Sequence, residues 1–192
     1  MYHAGQRELQ DLAGSRALAD RLDERLRRER FTDGDKAFVE ESPFFFLATA
    51  DAEGRPDCSF KGGLPGFVRI AAPDLLVFPD YDGNGMFRSL GNIRVNPHVG
   101  LLFMKTGDTP GRLRINGRAQ ISFDDPLIAT LPGAQMLVKV TPTDIFPNCP
   151  RYIPQLQLVE PSVYAPRPDT EPVEPAWKGF DAFKDVVPPR RR

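Results

Sequence analysis

Apolar positions at the start of the chain recur at helical spacing. Residues 6–30 are rich in helix formers and carry leucines at positions 9, 12, 18, 22 and 26. That spacing predicts an amphipathic helix, or two helices broken near Gly14. Thr32 or Asp33 is expected to cap a further short helix. The sequence thus predicts a helical segment over residues 1–41 that packs on the rest of the chain.

The apolar runs then become short and are separated by turn residues. The stretch "LRINGRAQI" alternates strictly between apolar and polar positions, as one strand of a half-buried sheet does. "DAEGRP" has the residues of a tight turn, so the strands on either side of it are expected to form a hairpin. Several short strands with one inserted helix predict a small antiparallel barrel, which we place at residues 42–160. The predicted strands are 44–50, 57–63, 75–78, 98–104, 113–121 and 136–140.

The last part of the chain, residues 161–192, is dense in proline. Prolines at this frequency exclude regular helix and central strand, so the segment is either an arm laid over the surface or a disordered tail. Trp177, Phe180 and Phe183 favour an arm, because disordered tails are poor in aromatic residues. We expect these aromatic residues to anchor the arm on the barrel, or on a second subunit, close to the functional site.

Composition narrows the class of protein. The chain has 192 residues with 41% hydrophobic and 27% charged residues, which suits one soluble domain with a proper core. A formal net charge of -1 gives no reason to expect nucleic acid or an anionic membrane as partner. The N-terminus has no apolar signal core, so we expect a cytoplasmic protein. Cys58 and Cys149 are then expected to be reduced thiols.

The stretch "DYDGNG" at residues 80–85 matches the opening of an EF-hand calcium loop. Such a loop needs a carboxylate at its twelfth position, and here that position is Gly91. The residues before the loop are also strand-like rather than helical. The calcium interpretation therefore fails, and we predict no metal site.

The residues after that loop indicate an anion site. "MFRSLGNIRVNP" has room for a short helix stopped at Asn96-Pro97, so the order is strand, glycine-rich loop, helix. Arg88 and Ser89 fall in the first helical turn, where they can join unpaired backbone amides around an anion. Ser59 and Lys61, two apart on a predicted strand, offer a second set of donors. Together the two sets would suit a phosphate monoester, although each alone also fits ordinary solvent-facing residues.

Other chemistry has little support in the sequence. No Ser/His/Asp set is visible, and with only His3 and His98 a histidine-rich metal site is not possible. His98 follows a proline at a strand start, which suits a surface or capping residue better than a catalytic one. Cys149 in "NCP" is either a redox thiol near a cofactor or an inert cysteine.

Three stretches of the chain carry a resemblance to a known family. They are "SPFFFLATADAEGRPDCSFKGGLPGFVRI", "LLVFPDYDGNGMFRSLGNIRVNPHVGLLF" and "LRINGRAQI". In order and with few gaps from about Phe38 to Ile121, they resemble the pyridoxamine 5'-phosphate oxidase family. More narrowly, they resemble its branch of FMN-dependent oxidoreductase-like proteins of uncertain substrate.

The resemblance implies a split β-barrel, mainly β with flanking helices, that binds FMN at the interface of a homodimer. The family holds the flavin phosphate with basic residues on the second strand and on the loop and helix after the middle strand. Lys61 matches the second-strand lysine, and the polar face of the strand at 113–121 commonly approaches the cofactor. The expected cofactor-binding residues are therefore Ser59, Lys61, Asn84, Arg88, Ser89, Arg114 and Asn116.

The chain departs from the true oxidases of this family in three places. Pro56 stands five residues before Lys61, where those enzymes have an arginine, and "FRS" stands in place of an "SRK"-like run. Their substrate-binding arginine and histidine near the C-terminus have no counterpart here. We therefore expect a substrate other than pyridoxamine phosphate, and the sequence assigns no catalytic residue.

Two functions from different classes are implied by the resemblance. The first is an FMN-dependent oxidoreductase that acts on an unidentified small molecule with a nicotinamide or another electron donor, with a deazaflavin as a variant cofactor. The second is a flavin- or haem-binding module of the same fold without turnover. Either would work as a homodimer, with no nucleic acid and no membrane as partner.

Overall fold

Three helices precede the sheet in a computed structural model that describes residues 2–107 and 109–189. Gly14 separates the first two with a φ of +62°, which confirms the interpretation as two helices broken at this glycine. Thr32 caps the third helix: its hydroxyl accepts a hydrogen bond from the amide of Asp35, whose carboxylate accepts one from the amide of Thr32. The helices are α1 (Ala4–Leu12), α2 (Arg16–Leu26) and α3 (Asp33–Glu40).

Within the described residues, seven strands form one antiparallel sheet in the order β2-β1-β5-β6-β7-β4-β3. A fourth helix, α4 (Arg88–Val95), lies between β4 and β5, and short 3-10 turns occupy Pro126–Thr130 and Ala176–Gly179. The fold is thus mainly antiparallel β with flanking helices, as predicted. The strands are β1 (Phe44–Ala50), β2 (Pro56–Gly62), β3 (Arg69–Ala72), β4 (Leu75–Tyr81), β5 (His98–Lys105), β6 (Gly111–Ser122) and β7 (Ala134–Asn148).

The last strand, β7, is much longer than the predicted 136–140, because two prolines concealed its second half. Its first half has a strand on both sides, since β4 pairs with residues 134–140, whereas the second half has β6 on one side and, in the described part of the chain, only the bridge of Ile145 to Arg28 on the other. Pro142 stands at a bulge opposite Gly117, where β6 and β7 approach closely. A side chain at Gly117 would place its Cβ 2.5 Å from the carbonyl oxygen of Thr141, so this crossing requires glycine.

The core lies between the two halves of the curved sheet and is centred on Phe45. Its ring is fully buried and packs against Phe103 and Phe78, each with ring centroids 5.0 Å from its own, and against Phe67 at 6.0 Å. Burying one such ring contributes about 1.5–3 kcal/mol. Val39 of α3 is also fully buried, so α3 belongs to the core.

The first two helices, α1 and α2, pack less closely on the sheet than α3 does. Neither α1 nor α2 has a buried residue, and the apolar stripe predicted for them stays exposed, with Leu12 at 79%. Their link to the sheet runs through Arg27, which pairs with Asp144, and through a two-way backbone bridge between Arg28 and Ile145. Within the described ranges, no helix is both long and apolar enough to cross a membrane.

The chain beyond β7 runs over the surface with the 3-10 turn at Ala176–Gly179 as its one regular element among the described residues. The backbone amide of Gly107 donates a hydrogen bond of 2.9 Å to the carbonyl of Leu156. Further on, Pro166 packs so closely on the turn before β7 that a Cβ at Gly133 would lie 2.7 Å from its ring. The segment therefore lies against the barrel as an arm.

Candidate functional site

A cavity of about 600 Å³ opens between β2, the end of β4 and the start of α4. The glycine-rich loop of residues 82–87 forms one side, and residues 177–178 and 187–189 of the C-terminal arm form another. Ligand sites of small molecules commonly have volumes of about 300–1,000 Å³. The cavity thus has the size and position of a ligand site, bounded by the two segments in which the sequence places phosphate donors.

The β2 wall presents three polar side chains to the cavity: Asp57, Ser59 and Lys61. They are two residues apart, so they lie on one face of the strand. Lys61 makes no hydrogen bond or ion pair with any described residue. Burial lowers the pKa of its ammonium group, and the nearby carboxylates of Asp80 and Asp57 oppose that shift. A desolvated ammonium without a partner is an available donor for an anionic ligand.

Asp80 closes the opposite side of the cavity at the end of β4, beside the register shift between Asp80 and Tyr81. Burial raises the pKa of its carboxyl group, the charge of Lys61 acts against this, and Asp82 reinforces it. Its Oδ2 atom is buried and has no hydrogen-bond partner among the described residues. Burial likewise raises the pKa of the neighbouring Tyr81 to about 12.

The loop before α4 brings the helix to the cavity in a strained conformation. Gly85 has a φ of +73°, and Phe87 has a φ of +48°, which a residue with a side chain adopts at a cost on the order of 1 kcal/mol. Phe87 is the N-cap residue, and no side chain caps the first amides of α4. Those amides are left available to a ligand. Asn84 lines the cavity, while its side-chain oxygen accepts a hydrogen bond of 3.0 Å from the amide of Met86.

The two sets of donors proposed from the sequence meet here. The Ser59 and Ser89 hydroxyl oxygens lie 3.0 Å apart, and this contact joins β2 to the first turn of α4. Arg88 lies on the same turn with an exposed side chain. Five of the seven expected residues, Ser59, Lys61, Asn84, Arg88 and Ser89, line this one cavity.

The other two expected residues lie elsewhere in the single chain. Arg114 is exposed on the outer face of β6, with its guanidinium 5.5 Å from the centre of the Phe146 ring. Asn116 lies in a separate shallow groove together with His98. The structure therefore does not bring Arg114 and Asn116 to the cavity within one chain.

Sequence reasoning missed several polar residues of the cavity, among them Asp57, Asp80 and Lys178. Asp57 could have been found, because it continues the two-residue period of Ser59 and Lys61 on β2. Its carboxylate lies 3.4 Å from both the Arg88 Nε and the Ser89 Oγ. Asp80 had entered only as the first residue of the rejected calcium motif and Lys178 gave no signal, since their place in the cavity depends on tertiary structure.

The C-terminal arm reaches the cavity, but through a different residue than expected. The Lys178 ammonium lies 2.6 Å from the Asp82 carboxylate, and the lysine is 9% exposed. Trp177 lines the cavity, whereas Phe180 and Phe183 are 55% and 47% exposed. Within one chain these two phenylalanines therefore do not anchor the arm on the barrel, and their packing on a second subunit stays a prediction.

Neither cysteine is buried. Cys58 is exposed at the rim of the cavity, and Cys149 is exposed at the end of β7, away from it. In the part of the chain that the structure describes, no group of three or more histidine, cysteine, aspartate or glutamate side chains could hold a metal ion.

The antiparallel sheet, the inserted helix and the cavity beside it define a split-barrel protein. The chain belongs to the pyridoxamine 5'-phosphate oxidase family, whose model matches residues 31–157. That match includes β1 to β7 and α4, so it contains the whole barrel and all seven expected site residues. No protein of curated description matches the chain.

One of the solved structures similar to this chain reaches a TM-score that supports the fold. A single-residue variant of HupZ from Group A Streptococcus has a TM-score of 0.50 and 16% identity, with 61% of this chain and 98% of that chain covered. HupZ without that change gives a TM-score of 0.49, 18% identity and coverage of 61% and 93%. HutZ, described as a haem storage protein from Vibrio cholerae, has a TM-score of 0.41 and 19% identity, with 59% of this chain and 90% of that chain covered. At these identities the likeness extends to the fold alone.

Proposed function

We propose that the protein binds FMN in this cavity and acts as an FMN-dependent oxidoreductase on a small molecule. The observation that carries the proposal is the contact between β2 and the start of α4. There Ser59 and Ser89 touch at one end of a cavity of about 600 Å³, with Lys61 and Arg88 on the same two elements. A phosphate group needs several donors from different directions, and this junction supplies them.

Each part of the cavity has a task in such a complex. Lys61 and Arg88 would hold the phosphate by charge, the two serine hydroxyls by hydrogen bonds, and the uncapped amides of α4 by their dipoles. The arm residues around Trp177 would exclude water from one side. The bound flavin would supply the redox chemistry, since it accepts a hydride or single electrons.

The second candidate function is a protein of this fold that binds haem, for example for storage, without catalysing a reaction. The donor set of the cavity supports it less well than it supports FMN. His3 caps α1 and His98 lies in the other groove, so neither histidine of the chain lines the cavity. Cys58, Tyr81 and Met86 are the lining side chains of types that can ligate a haem iron.

The absorption spectrum of the purified protein separates these cofactors. Oxidised flavin gives absorption bands at about 370 and about 450 nm, and a deazaflavin gives one band at about 420 nm. Haem gives a sharp Soret band. Titration of cofactor-free protein with FMN and with haemin then gives the two affinities. Tighter binding of haemin than of FMN would contradict the proposal.

Variants test the site itself. Lys61→Met and Arg88→Met each remove one charge-assisted partner of the phosphate, which should weaken FMN binding by about one to two decades. Lys184→Met is the matched control, because Lys184 is an exposed arm lysine that pairs with Asp181 away from the cavity. If both site variants bind FMN like the parent while the fold persists by circular dichroism, the phosphate lies elsewhere.

A further inference from the structure

The strand β2 places a carboxylate beside the donors of the proposed phosphate site. Asp57 stands in one row with Ser59 and Lys61, and its side chain is 19% exposed. A row of alternate residues on one strand faces one side, so all three meet the same ligand space. An acidic residue in that position is unexpected for a site that binds an anion.

The Asp57 carboxylate contacts two of the donors that are proposed to bind the phosphate. One oxygen lies 3.4 Å from the Arg88 Nε, and the other lies 3.4 Å from the Ser89 hydroxyl, which also touches Ser59. These distances are at the long end of hydrogen bonds, so each contact is weak. The carboxylate therefore occupies donors that a phosphate needs, and it holds them loosely.

We propose that Asp57 is an internal competitor that lowers the preference of this site for phosphate-bearing over phosphate-free flavins. The inference rests on the proposed function and deepens it. When phosphate enters, it must take Arg88 and Ser89 from Asp57 and then stand beside a like charge. Both effects lower the affinity for FMN. They do not change the affinity for riboflavin, which carries no phosphate.

This competition has a consequence for how the cofactor is held. A site with an uncompensated lysine and arginine would retain FMN tightly. With Asp57 present, the positive charge of Arg88 is already partly neutralised, so the phosphate gains less on binding. FMN is therefore held as an exchangeable ligand, and Asp57 is the specificity-determining residue that makes it so.

The experiment compares two ligands that differ by the phosphate alone. Cofactor-free parent, Asp57→Asn and Asp57→Ala are titrated with FMN and with riboflavin, with flavin fluorescence as the readout. Removal of the charge should tighten FMN binding by about tenfold and change riboflavin binding by less than about twofold. Asp74→Asn is the control, since it removes the same charge from an exposed side chain that pairs with Arg30 and does not line the cavity.

Each outcome is decisive. Unchanged or weaker FMN binding in both Asp57 variants overturns the inference, and so does an equal gain for riboflavin. If no variant binds FMN, the proposed function fails instead, and inorganic phosphate then serves as the probe of the anion site. Greater thermal stabilisation of Asp57→Asn than of the parent by phosphate would still support the competition, and equal stabilisation would refute it.

Discussion

Lys178 of the C-terminal arm lies 2.6 Å from the carboxylate of Asp82 and 3.0 Å from that of Glu174, with a side chain that is 8% exposed. The hydrogen bond to Asp82 raises the pKa of the Lys178 ammonium, so Lys178 is charged at neutral pH. Asp82 belongs to the glycine-rich loop that leads into α4. A single ion pair thus joins the arm to the segment that builds the proposed phosphate site.

Replacement of Lys178 by Met should release the arm from the cavity. The methionine keeps the apolar stem but leaves Asp82 without its cation, and each kcal/mol lost lowers Tm by about 2–4 °C in a chain of this size. Trp177 is the one tryptophan of the chain, so its fluorescence reports the arm alone. We expect stronger quenching of that fluorescence by acrylamide and a lower Tm in Lys178→Met.

Two further variants make the result specific. Lys184→Met changes a charge in the same arm, at an exposed pair, and should leave Trp177 as protected as in the parent. The charge exchange Asp82→Lys with Lys178→Asp should restore part of the protection. Equal quenching in the parent and Lys178→Met would show that this ion pair does not hold the arm.

Removal of the whole arm is the stronger perturbation. Truncation after Glu160 deletes Trp177, Lys178 and residues 187–189, which together form one side of the cavity. The shortened chain should unfold at a lower temperature, and FMN bound to it should become more accessible to iodide. A truncated protein that equals the parent in Tm and in flavin quenching would show the arm to be dispensable.

The sheet could be predicted because its signals are local. Strand periodicity in β6, turn residues between β1 and β2, and proline at position 97 after α4 each act within a few residues. The strand β3 has four residues and no alternation, so it carried too little pattern to be recognised. The second half of β7 was missed because Pro142 is tolerated at a bulge, which depends on its partner Gly117.

The cavity could be predicted only in part, and for a related reason. Residues within one segment, such as Ser59 with Lys61 or Arg88 with Ser89, are set by strand and helix periodicity. Contacts between segments are set by the fold: Asp82 and Lys178 are 96 positions apart and have no joint pattern in the sequence. The sequence indicated aromatic anchors for the arm, of which Trp177 lines the cavity, but it gave no sign of the ion pair between Lys178 and Asp82.

The half-buried ammonium of Lys61 should lower the stability of the folded protein. Burial, the largest effect, lowers its pKa, so the charged form is less favourable in the folded than in the unfolded protein. For a group whose pKa is lowered by folding, the favourable contribution to the free energy of unfolding is complete above the ordinary pKa of lysine. It is lost as the pH falls through the pKa that Lys61 has in the folded protein. At neutral pH, Lys61 therefore destabilises the cofactor-free protein, and Lys61→Met should raise Tm while it weakens FMN binding.

The pH dependence of Tm tests whether charge burial causes the higher Tm that we expect for Lys61→Met. The Tm advantage of Lys61→Met over the parent should shrink as pH is raised towards about 10.5, where lysine is neutral in both states. Lys36→Met, at a lysine on α3 that does not line the cavity, serves as the control. A constant advantage at all pH values would point to apolar packing of the methionine rather than to charge burial.

Three aromatic rings on the hairpin of β1 and β2 give the proposed homodimer a surface. Phe44 and Phe60 stack with ring centroids 5.3 Å apart, Phe46 meets Phe60 edge-on at 5.9 Å, and Phe60 is 62% exposed. Exposed aromatic clusters mark interfaces, and aromatic residues are enriched in the cores of subunit contacts. Because Phe60 also lines the cavity, a second copy seated here would cover the proposed FMN site.

Sedimentation at micromolar concentration should therefore give about twice the 21.5 kDa of one chain. Phe60→Asp would bury an unpaired charge in the interface and should weaken the dimer by about 100-fold or more, with a parallel loss of FMN affinity. Tyr152→Asp, at a residue that is 83% exposed and outside the aromatic cluster, should change neither. A parent protein that sediments as a monomer while it binds FMN would show that one chain completes the site alone, and the aromatic surface would then need another occupant.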